Sequence, residues 1–472
     1  MTTRIEHDFL GELPVPANAY YGIQTLRAAE NFRISGIRMY QEPLFINAFA
    51  LVKKAAARAN VKCGALDPKL GAAIEFACDE LLDGNYHDQF ITDLIQGGAG
   101  TSVNMNANEV IANIGLEHLG FPKGDYDHLH PNNHVNASQS TNDAYPTAIH
   151  LALYRKVDHY IEALRKLEDA FRKKAQEFAR VLKMGRTQLQ DAVPMTLGQE
   201  FGGFAATIGE EIKRMKAAQQ LLTDVNMGGT AIGTGLNAPN NYASVCVSEL
   251  AKLSGIPVVL AEDLIEASSD MGDYVEASAA LKRSAMKISK ICNDLRLLSS
   301  GPRAGLNEIN LPKMQPGSSI MPGKVNPVIP EVVNQTAFYV IGSDLTITMA
   351  AEAGQLQLNV MEPVLAFSMF TSFTYMTNAI HTLVDLCIDG ITANEERCRE
   401  YVMGSVGIVT ALNPILGYET TAAIAKEALA TGKMPYQIVV EERKLITPEE
   451  WDEIYTVENM VNPDFKVQER AK

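Results

Sequence analysis

Long segments of this chain place apolar residues at the spacing of an α-helix. Within residues 154–182, charged residues separate apolar positions that recur at helical spacing: Val157, Tyr160, Ile161, Leu164, Leu167, Phe171, Phe178 and Val181. A helix with this period has one apolar face that must pack against another element. Similar patterns cover residues 201–222, 274–298 and 328–391, and Gly342, Gly354 and Pro363 are predicted to interrupt or kink the last of them.

Strand patterns are few and are confined to residues 4–10 and 256–260. Several helices longer than an ordinary globular element therefore predict a mainly α protein with an elongated helical bundle. The residues after about 394 have shorter helical patterns and a charged end. This change in pattern predicts a small separate C-terminal domain.

Polar, glycine-rich segments join the predicted helices. Five of them are rich in Ser, Thr, Asn or Gln: QGGAGTSVNMN (96–106), HVNASQSTNDAYP (134–146), MGRTQLQDAVP (184–194), GGTAIGTGLNAP (228–239) and GSSIMPGKVNP (317–327). Loops held by a rigid scaffold commonly carry function. These segments are therefore the candidates for a functional site.

Composition narrows the class of partner. The chain has 472 residues and a formal net charge of −15, which argues against nucleic acid or an anionic membrane, since both need a basic surface. It contains no apolar run of about eighteen residues or more, the length of a membrane span, and its first residues lack the basic head and apolar run of a signal peptide. A cytoplasmic protein is therefore predicted. Its six cysteines are scattered without a C-x-x-C pair, which predicts reduced thiols.

Two near matches to nucleotide-binding motifs are rejected. GSSIMPGK has five residues between Gly317 and Gly323 where a phosphate-binding loop has four, and Val325 follows its lysine. GTGLNA (233–238) fits a dinucleotide-binding pattern, but Pro239 follows at once and no βαβ unit surrounds it. The sequence also lacks a G-x-S-x-G segment, the motif that carries the nucleophilic serine of many hydrolases.

Three histidines are spaced tolerably for a metal ion. They are His128, His130 and His134, in the stretch HLHPNNHVN. Asn and Pro stand where carboxylate or cysteine ligands would be expected. A structural or solvent-facing role is therefore favoured for these side chains.

What remains is a set of neutral hydrogen-bonding residues and one cation: Thr101, Ser140, Thr141, Asn142, Thr187, Gln188, Ser318, Ser319, Lys324 and Asn326. Hydroxyls, side-chain amides, backbone N–H groups and a lysine are the groups that bind a small dicarboxylate. Each residue alone has an ordinary explanation, because Ser or Thr before a helix is commonly an N-cap. Their joint appearance in separate loops favours an anion site.

GSSIMPGKVNP resembles the signature loop of the aspartase/fumarase superfamily, whose members add or remove a leaving group across the double bond of fumarate-like products. The resemblance spans nearly the whole chain, because further stretches match in order: NAYYGIQTLRAAENF, QGGAGTSVNMNANEVIAN, HVNASQSTNDAYPTA, MGRTQLQDAVPMTLGQEF, GTAIGTGLN, LRLLSSGPRAGLNEINLP and AAEAGQLQLNVMEPV. It implies a mainly α subunit with three domains, at residues 1–141, 142–395 and 396–472. It also implies a homotetramer of associated bundles, with each active site assembled from loops of three subunits.

Within the superfamily, the chain is most similar to the ammonia-lyases that act on L-aspartate. This similarity implies reversible deamination to fumarate and ammonia by anti-elimination. Fumarate hydratases usually carry a histidine, paired with a glutamate, where GRTQ has Gln188, and glutamine cannot take a proton at neutral pH. Glu331 is present without such a partner, and STND (140–143) is more similar to the ammonia-lyases. Some of those also carry histidine at this position, so Gln188 weakens the hydratase interpretation without proving deamination.

Two alternatives stay open at this point. One is a fumarate hydratase or another lyase of the superfamily. The other is a catalytically silent helical oligomer, against which the retained Ser318, Lys324 and Asn326 argue.

The resemblance also assigns roles to the polar residues. Ser318 corresponds to the general base, acting as an alkoxide that Lys324 and the backbone N–H groups of Ile320 and Met321 would stabilise. The β-carboxylate would be held by Thr101, Ser140, Thr141 and Ser319. The α-carboxylate would contact Lys324, Asn326 and Thr187, and the amino group would lie near Asn142, Thr187 and Gln188.

Gly317 and Gly323 are predicted to be hinges that let this loop close over the ligand as a lid. The resemblance implies no required cofactor and no catalytic metal. Some relatives are activated by magnesium, but no ligand set readable in this sequence assigns such a site here.

Overall fold

The computed structural model describes residues 2–461, and the chain forms two compact units. The first unit consists of the residues up to Glu162 together with Lys213–Ala285 and Ala337–Thr377. The second consists of Ala163–Ile212, Met286–Thr336 and the residues from Asn378 onward. The predicted domain boundaries near residues 141 and 395 stay a prediction, and residues 462–472 of the predicted C-terminal domain lie outside the described residues.

Helices dominate both units, so the prediction of a mainly α protein is confirmed. The described residues form the following α-helices: α1 (Ile23–Asn31), α2 (Pro43–Lys62), α3 (Pro68–Leu82), α4 (Thr101–His118), α5 (Thr141–Glu177), α6 (Leu197–Leu221), α7 (Tyr242–Ser254), α8 (Gly272–Leu298), α9 (Val328–Glu352), α10 (Glu362–Leu386), α11 (Glu395–Gly404), α12 (Asn413–Leu416), α13 (Tyr418–Thr431), α14 (Pro448–Ile454) and α15 (Val457–Val461). The long helices α5, α6, α8, α9 and α10 contribute residues to both units.

The helix bounds differ from the sequence pattern at several points: α5 ends at Glu177, whereas the pattern extends to residue 182. Helix α5 begins at Thr141, well before the predicted segment, because residues 143–153 are buried on all sides and show no amphipathic period. Of the predicted interruption or kink at Gly342, the interruption is wrong, since α9 continues through it to Glu352. Gly354 does lie in the break before α10, and Pro363 falls in the first turn of α10, where its missing N–H leaves no helical hydrogen bond unmade.

The strands are short, and those among residues 2–461 pair into four two-stranded sheets. They are β1 (Thr3–Asp8) with β2 (Gly11–Pro16), β3 (Leu182–Thr187) with β4 (Gln190–Thr196), β5 (Asp224–Val225) with β6 (Val259–Leu260), and β7 (Ile309–Asn310) with β8 (Thr392–Ala393). The predicted loop at residues 184–194 is therefore wrong, because it is the β3–β4 hairpin. Its turn residues, Gln188 and Leu189, both have positive φ values, of 53° and 61°. The sequence does not predict this turn, because Asn or Gly usually occupies the positive-φ positions of a two-residue hairpin turn.

In the first unit, an aromatic cluster packs α2 against the start of α5. The Phe45 ring lies 5.2 Å from Phe49, 5.7 Å from Tyr145 and 5.0 Å from Phe370 between centroids. Edge-to-face pairs at such distances stabilise a core beyond simple burial. The cluster fixes the beginning of α5, where Thr141 and Asn142 lie.

In the second unit, the base of the β3–β4 hairpin belongs to the core of the C-terminal helices. Leu182 and Met184 of β3 are buried with Val402, Ile408 and Trp451. Burial of these apolar side chains holds the base of the hairpin rigidly. The tip of the hairpin, at Thr187 and Gln188, is exposed.

Candidate active site

The sequence-predicted site residues fall in both units. Thr101, Ser140, Thr141 and Asn142 lie in the first unit, and the remaining predicted residues, from Thr187 to Asn326, lie in the second.

Thr101 and Thr141 are the first residues of α4 and α5. The Thr101 hydroxyl donates to the carbonyl oxygen of Gly98 at 2.8 Å, so it must turn that hydrogen toward a ligand in order to bind one. The Thr141 hydroxyl instead accepts from the Asn104 amide at 3.2 Å. Because it acts as an acceptor there, it retains its own hydrogen for donation to an anion.

Ser140 and Asn142 flank Thr141. The Ser140 hydroxyl accepts from the backbone N–H of Asn142 at 3.2 Å, so the expectation of a cap at this helix start agrees with the geometry. The Asn142 amide donates to the carbonyl oxygen of Ala231 at 2.7 Å, in the glycine-rich segment 228–239. This bond fixes the orientation of the Asn142 side chain.

A buried cation lies behind Thr141. Lys53 of α2 is 0% exposed, and its Nζ donates to Asn104 at 2.7 Å, Asn136 at 3.0 Å and Gln139 at 2.9 Å. Burial lowers the pKa of Lys53 to about 7, against an opposing effect of the negative charge of Asp143. Asn104 therefore links a buried ammonium group to the hydroxyl of Thr141.

Asp143, the last residue of STND, is fully buried. Its carboxylate accepts from the backbone N–H groups of Ser140 at 2.9 Å and of Gly228 and Thr230 at 3.0 Å each. Burial raises the pKa of Asp143 to about 6, although these hydrogen bonds and the charge of Lys53 oppose that effect. The carboxylate ties the start of α5 to the glycine-rich segment 228–239.

In the second unit, Thr187 ends β3 and Gln188 begins the turn of the hairpin. Both side chains are exposed. A left-handed conformation at two successive residues other than glycine is strained. Such strain is found where a structure holds a side chain in a required direction.

Ser318 lies in the loop 317–327 before α9. Its Oγ accepts from the backbone N–H of Met321 at 3.0 Å and from that of Ile320 at 3.2 Å. Two N–H dipoles aimed at one oxygen favour a negative charge on it. The local geometry can therefore stabilise an ionised serine.

The same loop is closed at its base by hydrogen bonds between its own residues. The Gly317 N–H donates to the Lys324 carbonyl at 2.7 Å, and the Asn326 side-chain amide donates to the Gly317 carbonyl at 2.7 Å. A Cβ at Gly317 would lie 2.7 Å from that Lys324 oxygen, and Gly323 has a φ of +82°. Both positions therefore require glycine.

The tip of the loop is open to solvent. Ile320 is 84% exposed, and Ser319, Met321 and Lys324 are also exposed. An exposed segment with few contacts outside itself can move at little cost.

The three histidines have structural roles. His130 Nδ1 accepts from the backbone N–H of Asn132 at 3.0 Å and caps the helical turn Pro131–Val135, and His134 Nδ1 accepts from the His130 N–H at 2.8 Å. The His128 ring stacks on Phe121. Within residues 2–461, no group of three or more His, Cys, Asp or Glu side chains is placed to hold a metal ion. No helix in the same range combines the length and apolar character that a membrane crossing requires.

Comparison with known proteins identifies the family. A family model described as Lyase matches residues 11–342, and one described as Fumarase C C-terminus matches residues 408–462. The chain belongs to the lyase family, within the aspartase/fumarase superfamily. The resemblance inferred from the sequence is thereby confirmed.

Three similar proteins illustrate the breadth of this lyase family. The aspartate ammonia-lyase of Helicobacter pylori (strain ATCC 700392 / 26695) is 58% identical, over 98% of each chain. A crystal structure titled fumarate lyase:delta crystallin from Brucella melitensis bound to cobalt is 53% identical, with a TM-score of 0.93 over 97% of this chain and 99% of that one. A recombinant class II fumarase from Schistosoma mansoni is 33% identical, with a TM-score of 0.91 over 98% of this chain and 100% of that one.

Sequence reasoning missed several residues of this lyase that support the candidate site. Lys53 stands on the apolar face of α2, four residues after Phe49. A cation at that position in an apolar stripe is the signal that could have found it. Glu308, which is also 0% exposed, gave no such signal, because its partners are distant in the sequence.

Proposed function

We propose that this protein is an aspartate ammonia-lyase, which converts L-aspartate reversibly into fumarate and ammonia. The proposal is supported by the names of relatives that are 56–60% identical over 98% of the chain. The geometric observation that carries it is the pair of backbone N–H groups directed at Ser318 Oγ.

In the proposed reaction, the Ser318 alkoxide takes a proton from Cβ of L-aspartate. The electron pair left on Cβ spreads into the adjacent carboxylate, which becomes a dianion, and stabilising this charge is the main catalytic task. The electrons then form the carbon–carbon double bond as the Cα–N bond breaks and ammonia leaves. Ser318 regains its ionised form by releasing the proton to solvent.

Most of the groups proposed to hold the extra charge lie in the first unit, and Ser319 lies in the second. Ser140 and Thr141 retain hydroxyl hydrogens for the β-carboxylate, together with Thr101 and Ser319. The buried amino group of Lys53 lies behind Thr141 through Asn104. Because burial lowers its pKa to about 7, it adds a positive potential there in the molecules in which it is protonated. Charges in a water-poor setting interact strongly, which makes this arrangement suited to a dianion.

Most of the groups assigned to the other end of the substrate lie in the second unit, and Asn142 lies in the first. Lys324, Asn326 and Thr187 would contact the α-carboxylate, and Gln188 and Thr187 would approach the amino group together with Asn142. The Asn326 amide already donates to Gly317, so only its second N–H and its oxygen are left for the substrate. Closure of the loop at Gly317 and Gly323 would exclude water before proton transfer.

We further propose a homotetramer in which each active site takes loops from three subunits. An exposed apolar stripe on α9 supports this assembly, with Phe338 at 62%, Leu345 at 63% and Met349 at 63% exposure. Gly342 lies within the stripe, and a Cβ at this position would have no other atom within 4 Å, which allows a close helix–helix approach. An apolar stripe at heptad-like spacing is typical of a helix packed against other helices. The cytoplasm is the proposed location.

The direct test is to mix the protein with L-aspartate and follow the ultraviolet absorbance of fumarate. We expect fumarate to form from L-aspartate, and little to form from L-malate. Fumarate from L-malate alone would favour a fumarate hydratase instead. Light scattering after size-exclusion chromatography should give four times the chain mass of 51.5 kDa, and a monomer would contradict the shared-site proposal.

A further inference from the structure

We propose that Glu308 is a positioning residue, which fixes the tip of the β3–β4 hairpin by pairing with Lys183 and Arg186. The inference rests on the proposed function, because the tip carries Thr187 and Gln188, the residues assigned to the amino end of the substrate. Glu308 itself is not assigned any contact with the substrate.

The Glu308 carboxylate is held between two cations of β3. Its Oε1 accepts from Arg186 at 2.7 Å, and its Oε2 forms an ion pair with Lys183 Nζ at 3.0 Å. The Glu308 and Lys183 side chains are 0% and 2% exposed. Buried ion pairs are costly to desolvate and often contribute little net stability, so a role in fixing one geometry fits this arrangement better than a role in stability alone.

An irregularity in β3 makes the double pairing possible. Residues three apart on a regular strand point to opposite faces. The register of β3 against β4 shifts between Met184 and Arg186, and such a bulge re-aims the following side chain. Lys183 and Arg186 can therefore reach the same carboxylate.

Glu308 is itself anchored through its backbone. Its N–H donates to the Leu298 carbonyl at 2.9 Å, and its carbonyl accepts from the Asn394 N–H at 2.9 Å. The Arg186 guanidinium also lies 5.3 Å from the centre of the Tyr401 ring. The carboxylate is thus a fixed reference point for the strand.

The hairpin tip requires an anchored partner, because its own backbone is strained. Gln188 and Leu189 adopt left-handed backbone conformations, which are strained in residues other than glycine. Thr187 directly follows Arg186 in the chain. Holding Arg186 therefore limits how far Thr187 and Gln188 can move as the turn relaxes.

The test uses the full-length protein with Glu308→Gln, which keeps the side-chain shape and removes the charge. Arg186→Lys is a second perturbation of the same pair, because lysine keeps the charge but loses the forked geometry. Asp344→Asn is the matched control, since Asp344 is a buried carboxylate paired with Lys282 at 2.5 Å. Circular dichroism and size-exclusion chromatography first establish which variants fold.

Two measurements are then compared among the folded variants. Hydrogen exchange of peptides covering residues 182–196 should be about tenfold faster in Glu308→Gln than in the wild type. The ratio of the KM for L-aspartate to the inhibition constant of succinate, which lacks the amino group, should rise by about tenfold or more, as expected for displaced positioning groups. Glu308→Asp should recover part of both effects, and Asp344→Asn should show neither.

Unchanged hairpin exchange, or an unchanged ratio, in folded Glu308→Gln and Arg186→Lys would overturn the positioning role. Failure of the proposed function has a different signature, because the wild type would then yield no fumarate. In that case hydrogen exchange alone still decides whether Glu308 fixes the hairpin.

Discussion

The two regions that carry most of the candidate site are held in opposite ways. At the start of α5, Thr141 is connected through Asn104 to the buried Lys53, and Asp143 is buried beneath it. The loop 317–327 is exposed and is closed by hydrogen bonds between its own residues. The first region is preorganised for charge, whereas the second can move while it keeps the local geometry of Ser318 intact.

This difference suggests that the two regions have different functions: the start of α5 stabilises charge, and the loop 317–327 brings the base to the substrate. A group that must stabilise a transient dianion gains most from being fixed in advance, since it then needs no reorganisation during the reaction. A base that must meet a substrate entering from solvent gains from mobility. Substitutions in the loop should therefore change mainly the kinetics, whereas substitutions at the start of α5 should also change the pH dependence of the free energy of unfolding.

The largest effect is expected for Ser318→Ala. Loss of the base should lower the turnover number by about 10²- to 10⁴-fold, while the fold is retained because the side chain is small and the loop exposed. Turnover is measured by fumarate absorbance and folding by circular dichroism. Ser299→Ala, at another serine of the second unit, serves as the control, and near-normal turnover of Ser318→Ala would remove Ser318 as the base.

A second prediction concerns stability and pH in the buried region. The folded-state pKa of Asp143, raised to about 6 from 3.8, means that the folded protein binds this proton more tightly than the unfolded chain. The contribution of Asp143 is therefore fully present below pH 3.8 and is lost as the pH rises through 6. The free energy of unfolding of the wild type, relative to Asp143→Asn, should fall by about 3 kcal/mol across this range, at about 1.4 kcal/mol per pKa unit.

Urea denaturation of both proteins at several pH values measures this difference. A difference that stays constant between pH 3.8 and 6 would show that Asp143 does not carry the raised pKa. Titration of other carboxylates cancels, because both proteins share them.

A third, smaller effect is expected for Lys324→Ala in the exposed loop. Removal of this ammonium group should raise the KM for L-aspartate by about tenfold, since a charge-assisted contact to the α-carboxylate is lost. The free energy of unfolding should change by no more than about 0.5 kcal/mol, as is usual for an exposed side chain. Steady-state kinetics and urea denaturation test the two parts, and an unchanged KM would count against the assignment of Lys324.

The contrast between the regions also explains what the sequence could predict. All the parts that surround Ser318 lie within residues 317–327, so a linear motif contains the base, the N–H groups and both glycines. The partners of Lys53 lie 51 to 86 positions away in the chain, and Arg186 lies 122 positions from Glu308. These contacts form only when distant segments of the chain pack together, so no local pattern shows which residues will be partners.

The same reasoning applies to the fold. The bounds of amphipathic helices such as α8 were predicted nearly to the residue. In such a helix, apolar residues that face the core recur between polar residues that face solvent, so the sequence shows the helical period. Periodicity did not reach the start of α5, because burial on all sides removes the period there, and only the cap candidates Ser140, Thr141 and Asn142 marked it. The β3–β4 hairpin was missed because its turn uses Gln188 and Leu189. Tertiary packing decides both features.

The smallest expected effect is that of Gln188→His. A histidine at this position supplies a titratable group, but addition of water also requires a carboxylate partner and a fixed ring orientation. Gln188 lies at the tip of the β3–β4 hairpin, and a single substitution there supplies an imidazole without the carboxylate partner that would fix its tautomer and ring orientation. We therefore expect no efficient formation of malate from fumarate, measured by chromatography, with Gln190→His on the neighbouring strand as the control. A strong malate signal from Gln188→His alone would mean that the identity of one side chain at the hairpin tip, and not the preorganised region around Thr141, decides which nucleophile is added.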